Sequence, residues 1–428
     1  MKRYHIKKSA LCGCVEIPAS KSHTLRALLF GMMGQGKTIV RRYLQSPDSI
    51  AMIEAIKNFG AKVDIFPDRV EIQGLSGQLQ AAEDVIYAGN SGQVLRFIGA
   101  LAAMLPTYTV VTGDHSIRHQ RLVKPLLDGL KSLGVFATSA RLDGFAPILI
   151  KGPLRGGKTT LDGRDSQPVS GLLIATSFAD SPTDIYVKNP GETSWIDLTL
   201  HWLNCLGLSC EHTHYTHYHV PGGMSFQGFD YTVPGDFSSL AFLLAAALIT
   251  DSKLTLGNVD MLDIQGDKKI IDILIAMGAH ITIDQKNKQL DVERGSRLRG
   301  TRIDINDCID ALTICAVIGC YAEGKTEIQN GAIARHKECD RIHAITRELK
   351  KMGANIQERE DDLLIYPSSL EGSTVATYGD HRMAMSLSVA ALGAIGETIV
   401  RDTECVAKTY PNFVAHLRKL GAHLQEKR

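Results

Sequence analysis

The sequence predicts an α/β protein of six repeated βαβαββ-type units, three in each of two domains. Two registers carry that prediction. Glycines that end helices recur at Gly60, Gly134, Gly207, Gly278, Gly353 and Gly421, at intervals of 74, 73, 71, 75 and 68 residues. Polar residues able to cap a helix recur at Ser20, Asn90, Asp165, Asp236, Asp307 and Asp380, each 40–46 residues before its glycine. These periods exceed the roughly 20–50 residues of stacked solenoid units, so each repeat is a compact α/β substructure.

The elements follow in order within each unit. The runs opened by the caps, such as "KSHTLRALLFGMM", "SGQVLRFIGALAAML", "FSSLAFLLAAALI" and "HRMAMSLSVAALGAI", are apolar nearly all round, as buried helices are. The second helix of a unit is amphipathic, as in Ile50 to Phe59 and Ile342 to Met352, and so lies at the surface. Glycine at the position after its end supplies the left-handed residue that closes it. Alternating stretches such as "AKVDIFPDRVEIQG" and "AHITIDQKNKQLDVERG" then read as strand, turn, strand.

Only 7 residues follow Gly421, whereas 27–31 separate the other glycines from the next cap. The N-terminal "ALCGCVEIP" is therefore expected to complete the sixth unit from the other end of the chain. A chain of 428 residues exceeds what one core usually supports. The expected domains are 20–233, and 1–19 together with 234–428.

Composition narrows the function. A hydrophobic content of 44% with 22% charged residues is that of an ordinary soluble protein. The N-terminus lacks an apolar stretch of signal-peptide length and no window approaches a membrane span, so a cytosolic location is expected. A formal charge of +1 offers no global field for nucleic acid. Nine cysteines without a Cys-x-x-Cys pair argue against a zinc ribbon or a disulfide framework, and most are expected in the core, with Cys405 beside the candidate site. No G-x-G-x-x-G or H-E-x-x-H motif occurs. Nucleotide-driven phosphoryl transfer is not expected either. "HTHYTHYH" reads as a hairpin, and the chemistry is expected to need neither metal nor organic cofactor.

Basic residues gather at helix starts: Lys21 and Arg26, Arg96, and Arg382, with Arg118, Arg121, Lys124, Arg335, Lys337, Arg341 and Lys408 ahead of surface helices. A helix N-terminus already offers free N–H groups and partial positive charge, so added cations make an anion site. Two such faces opposed would enclose a cationic cleft suited to small ligands bearing phosphate and carboxylate. Ser22, Asn90, Gly92, Ser166, Gln167, Ser194 and Trp195 share these loops. Glycine at 92 would allow a ligand close to the backbone. Acids are scarcer, which makes Asp310 and Glu338 conspicuous as proton acceptors, although Asp310 is equally placed to be a capping-box partner of Asp307.

The segments "KSHTLRALL", "GNSGQVLRF", "RHKECDRI", "TYGDHRMAM" and "CVAKTYPNF" closely resemble, in order and spacing along the whole chain, those of the 5-enolpyruvylshikimate-3-phosphate synthase family. The resemblance implies the two-domain, inverse α/β barrel-like fold of the enolpyruvyl transferases, with the active site in the cleft between domains. It implies transfer of the enolpyruvyl group of phosphoenolpyruvate to the 5-hydroxyl of shikimate 3-phosphate, in the pathway to chorismate and aromatic amino acids, by a monomer acting on small molecules alone. Carried over by motif, Lys21, Gly92, Arg121, Gln167, Arg341, Arg382 and Lys408 would hold phosphoenolpyruvate. Lys21, Ser22, Arg26, Ser166, Gln167, Asp310 and Lys337 would hold shikimate 3-phosphate. Asp310 would be the base, with Glu338 and Lys21 shuttling protons. Inhibition by glyphosate is implied where Gly92 leaves room that a methyl would fill.

The chain departs from the usual family pattern at Gln93, Phe97, Asp165 and Trp195. An inward-pointing Asp165 would repel phosphate, so its carboxylate is expected to cap its helix. The sister family acting on UDP-N-acetylglucosamine carries a catalytic cysteine in a loop where "TGDHSIRHQR" has none. A non-catalytic anion-binding repeat protein would not need Asp310 and Glu338 among the cations.

Overall fold

The computed structural model describes residues 2–428. It divides into two compact units, one joining the N-terminal residues through Pro18 to Pro234–Arg428, the other formed by Ala19–Val233. Each unit holds three four-stranded sheets and its own hydrophobic core.

Every sheet is built alike. In the third repeat Gly157–Asp162 runs parallel to Thr183–Lys188, which pairs antiparallel with His217–Val220, itself hairpinned to Glu211–Thr213. The parallel pair needs a crossover, and in four of the six sheets the buried helix provides it; the helices before Lys37–Arg41 and Lys253–Gly257 join strands of different sheets. These six helices are α1 (Lys21–Met33), α2 (Gly92–Ala102), α3 (Ser166–Ser177), α4 (Phe237–Ile249), α5 (Leu312–Tyr321) and α6 (His381–Gly393). In α4 every residue from Phe237 to Leu248 is buried, so its all-round apolar composition leaves it no stable surface position. Truncating a side chain such as Leu243, with no exposure at all, to alanine would cost about 2–5 kcal/mol.

The six register glycines sit at positive φ, between +78° and +102°. They end the surface helices and turn the chain into the next hairpin, a conformation that L side chains resist.

The sixth sheet is completed from the N-terminus, but by Arg3–Lys7, which inserts between Glu397–Arg401 and Leu424–Lys427. The expected strand, Cys12–Glu16, instead pairs parallel with Lys253–Gly257 in the fourth repeat. Its counterpart Asp230–Thr232 pairs parallel with Lys37–Arg41 in the first. The strands that precede α1 and α4 have thus changed places between the units, an exchange that local sequence does not record.

Two of the cap positions also move. Ser91, not Asn90, caps α2 by accepting from Val94 N, and Asn90 donates to Asp114 at 2.6 Å. Asp307 does not stand at an N-cap position. It lies in a 3-10 turn, Asn306–Ala311, kinked at Cys308, and its carboxylate meets Lys269 Nζ at 3.1 Å. The other four caps, Ser20, Asp165, Asp236 and Asp380, each accept from a backbone N–H of their helix.

The nucleotide-loop pattern G-x-x-x-x-G-K-[ST], whose absence the expectation of no nucleotide-driven chemistry assumed, is spelled out three times, from Gly31 to Thr38, Gly152 to Thr159 and Gly319 to Thr326. None has the context of a phosphate loop: Gly31 lies inside α1 and Gly319 inside α5, Lys37 and Thr326 open strands, and Lys158 lies within the strand Gly157–Asp162. A phosphate loop needs strand, loop, then helix, so that backbone N–H groups converge on the ligand.

The cysteines are more exposed than expected. Cys308, Cys315, Cys320 and Cys339 are buried, Cys210 and Cys405 partly so, and Cys12, Cys14 and Cys205 exposed. No described helix is long and apolar enough to cross a membrane.

Candidate active site

In the unit Ala19–Val233 the candidate residues gather at the N-termini of α1, α2 and α3. Ser20 caps α1 and so sets Lys21 and Ser22 in its first turn. Lys21 Nζ lies 3.8 Å from the buried Asp48, and Ser22 Oγ accepts from Gln93 Nε2 at 3.2 Å. Gln93 is therefore a partner of a candidate ligand residue. Arg26, one turn further on, is 1% exposed and meets only neutral oxygens: Thr199 Oγ1 at 2.7 Å, Ser22 O at 3.2 Å and Trp195 O at 3.3 Å. The Phe97 ring lies 5.1 Å from its guanidinium carbon. Burial pulls Arg26 below its ordinary basicity, yet a guanidinium stays charged at neutral pH. A cation so enclosed gains from an anionic ligand.

Gly92, Arg96, Arg121 and Gln167 converge. Arg96 Nη1 donates to Gln167 Oε1 at 3.0 Å, and a side chain at position 92 would begin 2.7 Å from that same Arg96 nitrogen and 3.6 Å from the Arg121 guanidinium carbon. Arg121 is buried. Asp165 caps α3 through Gln167 N at 3.0 Å and also meets Arg96 Nη2 at 2.8 Å. Its charge is thereby neutralised.

In the other unit a denser network surrounds the start of α6. Arg341 is fully buried and touches three carboxylates: Asp310 at 2.7 Å, Asp380 at 2.8 Å and Glu338 at 2.9 Å. Burial alone would lower its basicity, but Asp380, Glu338 and Asp310 together hold it well above the ordinary value. Lys408 Nζ meets the second Glu338 oxygen at 2.6 Å. Arg382 Nη2 reaches the second Asp310 oxygen at 3.0 Å and Ser238 Oγ at 2.7 Å, whereas its Nε and Nη1 are buried without a hydrogen-bond partner. Those two donors are aimed by the fold and await an acceptor. Asp310 is thus engaged on both oxygens. It is the carboxylate held between Arg341 and Arg382, and at 21% exposure it remains open to a ligand. Lys337 is buried beside Glu338 in sequence.

Glu338, Asp380 and His381 lie close enough to hold a metal ion. The two carboxylates are already engaged by Lys408 and Arg341, which place positive charge where a metal would sit. Cys405 has a thiol pushed up to about 12 by burial, a range in which it is no nucleophile at neutral pH.

Sequence reasoning read Asp380 only as a cap, and missed Thr199, Ser238 and Glu192 as members of these arrays. Asp380 had a signal, its place beside His381 and Arg382. Thr199 and Ser238 had none, being hydroxyls on helices that meet their arginines only in space.

Comparison with known proteins matches residues 6–417 to the family described as EPSP synthase (3-phosphoshikimate 1-carboxyvinyltransferase). The chain is 41% identical over 419 residues to a 3-phosphoshikimate 1-carboxyvinyltransferase of Acetivibrio thermocellus, covering 98% of both chains. It is 42% identical over 430 residues to one of Chlamydia pneumoniae, covering all of this chain and 95% of that one. The solved structure of the EPSP synthase from Acinetobacter baumannii superposes with a TM-score of 0.85 at 26% identity over the whole of both chains.

Proposed function

The chain belongs to the EPSP synthase family, and we propose from that premise how its residues divide the work of the reaction. The activity is transfer of the enolpyruvyl group of phosphoenolpyruvate to shikimate 3-phosphate, releasing phosphate, in the shikimate pathway. Asp310, suspended between two arginines, is the observation that carries the assignment of roles.

The chemistry needs a proton on the methylene carbon of phosphoenolpyruvate, attack by the acceptor hydroxyl on the cationic carbon so formed, and loss of phosphate with a proton from the new methyl group. We assign Asp310 as the base for the hydroxyl. Glu338, linked to Lys408, and Lys21 serve the proton transfers at carbon. Arg121, Arg341, Arg382, Lys408, Gln167 and the space at Gly92 hold the phosphate and carboxylate of phosphoenolpyruvate, keeping phosphate a good leaving group. Ser22, Arg26, Ser166 and Lys337, with Lys21 and Gln167, hold the acceptor.

Two phosphates and a carboxylate brought together repel strongly. Around Asp310 the three cations Arg341, Arg382 and Lys408 face three carboxylates, those of Asp310, Glu338 and Asp380.

The test is phosphate release from phosphoenolpyruvate on adding shikimate 3-phosphate. Turnover abolished by Asp310→Ala with both ligands still bound supports the assignment, whereas turnover that survives removes Asp310 as the base.

A further inference from the structure

The donors that open α3 are already in use. Ser166 is 2% exposed, and both its backbone N–H, at 3.1 Å, and its hydroxyl, at 3.2 Å, donate to a single oxygen, Oε2 of Glu192. Glu192 is itself 1% exposed. Its backbone is left-handed, with φ +49° and ψ 42°, a conformation that side-chain-bearing residues adopt rarely and at a cost. Glu192 stands at the N-terminus of the helix Thr193–Cys205, yet its side chain makes no capping bond there and reaches across to α3 instead.

A second observation points to an anion at the same place. Arg26 is buried, and its partners among the described residues are neutral oxygens. Its chief partner, Thr199, lies on the Thr193–Cys205 helix and donates to Ser170 of α3 at 2.9 Å. Arg26 is thus tied through Trp195 O and Thr199 to the helix that Glu192 precedes, and through Thr199 and Ser170 to the helix that Ser166 opens. A carboxylate and a phosphate cannot both take the Ser166 donors, because two anions sharing them would stand at hydrogen-bonding distance in a site largely withdrawn from water.

We propose that Glu192 is a resident anion of the acceptor site: its carboxylate holds Ser166 while the site is empty and gives way when the acceptor's phosphate takes those donors. Glu192 thereby sets acceptor affinity by intramolecular competition, and determines how strongly this chain holds a phosphorylated acceptor. The inference rests on the assignment of Ser166 to the acceptor made above.

The experiment compares Glu192→Gln, nearly isosteric, with Glu192→Asn, whose side chain tolerates the left-handed backbone. Both are checked for folding by circular dichroism and thermal melting. The expected result is a KM for shikimate 3-phosphate lowered roughly tenfold, the scale of one charge-assisted hydrogen bond no longer contested, with the KM for phosphoenolpyruvate unchanged. Calorimetric affinity for shikimate 3-phosphate alone should rise by the same factor. Folded variants with an unchanged or raised KM for shikimate 3-phosphate overturn the proposal. Ser166→Ala, run alongside, separates the two levels. A raised KM for shikimate 3-phosphate in that variant, without a gain in the Glu192 variants, sinks the competition alone. An unchanged KM in Ser166→Ala sinks the placement of the acceptor, and the proposal with it.

Discussion

Arg341 holds Asp310 across 2.7 Å while its remaining donors hold Asp380 and Glu338, so one buried guanidinium fixes three carboxylates from three separate chain segments. The arrangement keeps Asp310 aimed without closing it off from ligands.

Replacing Asp310 with asparagine should preserve shape and remove the proton acceptor. The expected outcome is a fall in kcat of about 10²–10⁴, the usual worth of a positioned base, with KM for both substrates changed only a few-fold. A loss confined to KM would make Asp310 a binding group.

Arg121→Ala should weaken use of phosphoenolpyruvate by roughly 1.5–3 kcal/mol in kcat/KM, the scale of a charge-assisted hydrogen bond. Steady-state kinetics with phosphoenolpyruvate varied decides it, since an unaltered kcat/KM would remove Arg121 from the site.

Gly92→Ala puts a methyl 2.7 Å from Arg96 Nη1 and 3.0 Å from Gln167 Oε1, closer than either atom accepts, so their hydrogen bond must shift. The KM for phosphoenolpyruvate should rise. Inhibition by glyphosate should weaken by a larger factor, and equal changes in both would show that the methyl does not reach the inhibitor's space.

Glu348 tests stability. Buried in the surface helix Arg341–Lys351, it accepts from Lys351 at 2.7 Å, Tyr378 at 2.6 Å and Ala376 N at 2.9 Å. Burial would raise its carboxyl, but Lys351, Tyr378 and Ala376 outweigh that and hold it below the ordinary value. A lowered folded value means the contribution is present above the ordinary carboxylate range and lost as pH falls through the folded value. Glu348→Gln should therefore cost about 1–3 kcal/mol at pH 7. The gap in Tm from the parent should close below roughly pH 4. A gap unchanged at pH 3 would refute the ionic origin.

Thiol labelling offers a check on Cys405. Its thiol is raised to about 12, so iodoacetamide at neutral pH should modify the exposed Cys12, Cys14 and Cys205 and spare Cys405 in the folded chain. Labelling of Cys405 at a rate comparable to theirs would contradict its burial.

Much of the fold was legible in the chain because its signals are local. A glycine at positive φ after a surface helix, a carboxylate or hydroxyl one residue before a buried one, and helices apolar on every face are decided within a few residues by backbone sterics and hydration. The glycine register held at all six positions, from Gly60 to Gly421. The cap register faltered where a neighbour could do the same work, as Ser91 does for Asn90, or where a kink at Cys308 turned the helix start into a 3-10 turn.

By itself, then, the sequence determined the repeat, the two kinds of helix, the hairpins and the places where cations would cluster, since each depends on near neighbours along the chain. Only the tertiary structure decided that Arg3–Lys7 rather than Cys12–Glu16 completes the sixth sheet, that Asp310 belongs to Arg341 and Arg382, and that Glu192 occupies Ser166. These pairings join residues 26 to several hundred positions apart. Strand edges and buried charges accept any partner of matching geometry, and packing the whole unit is what selects among them.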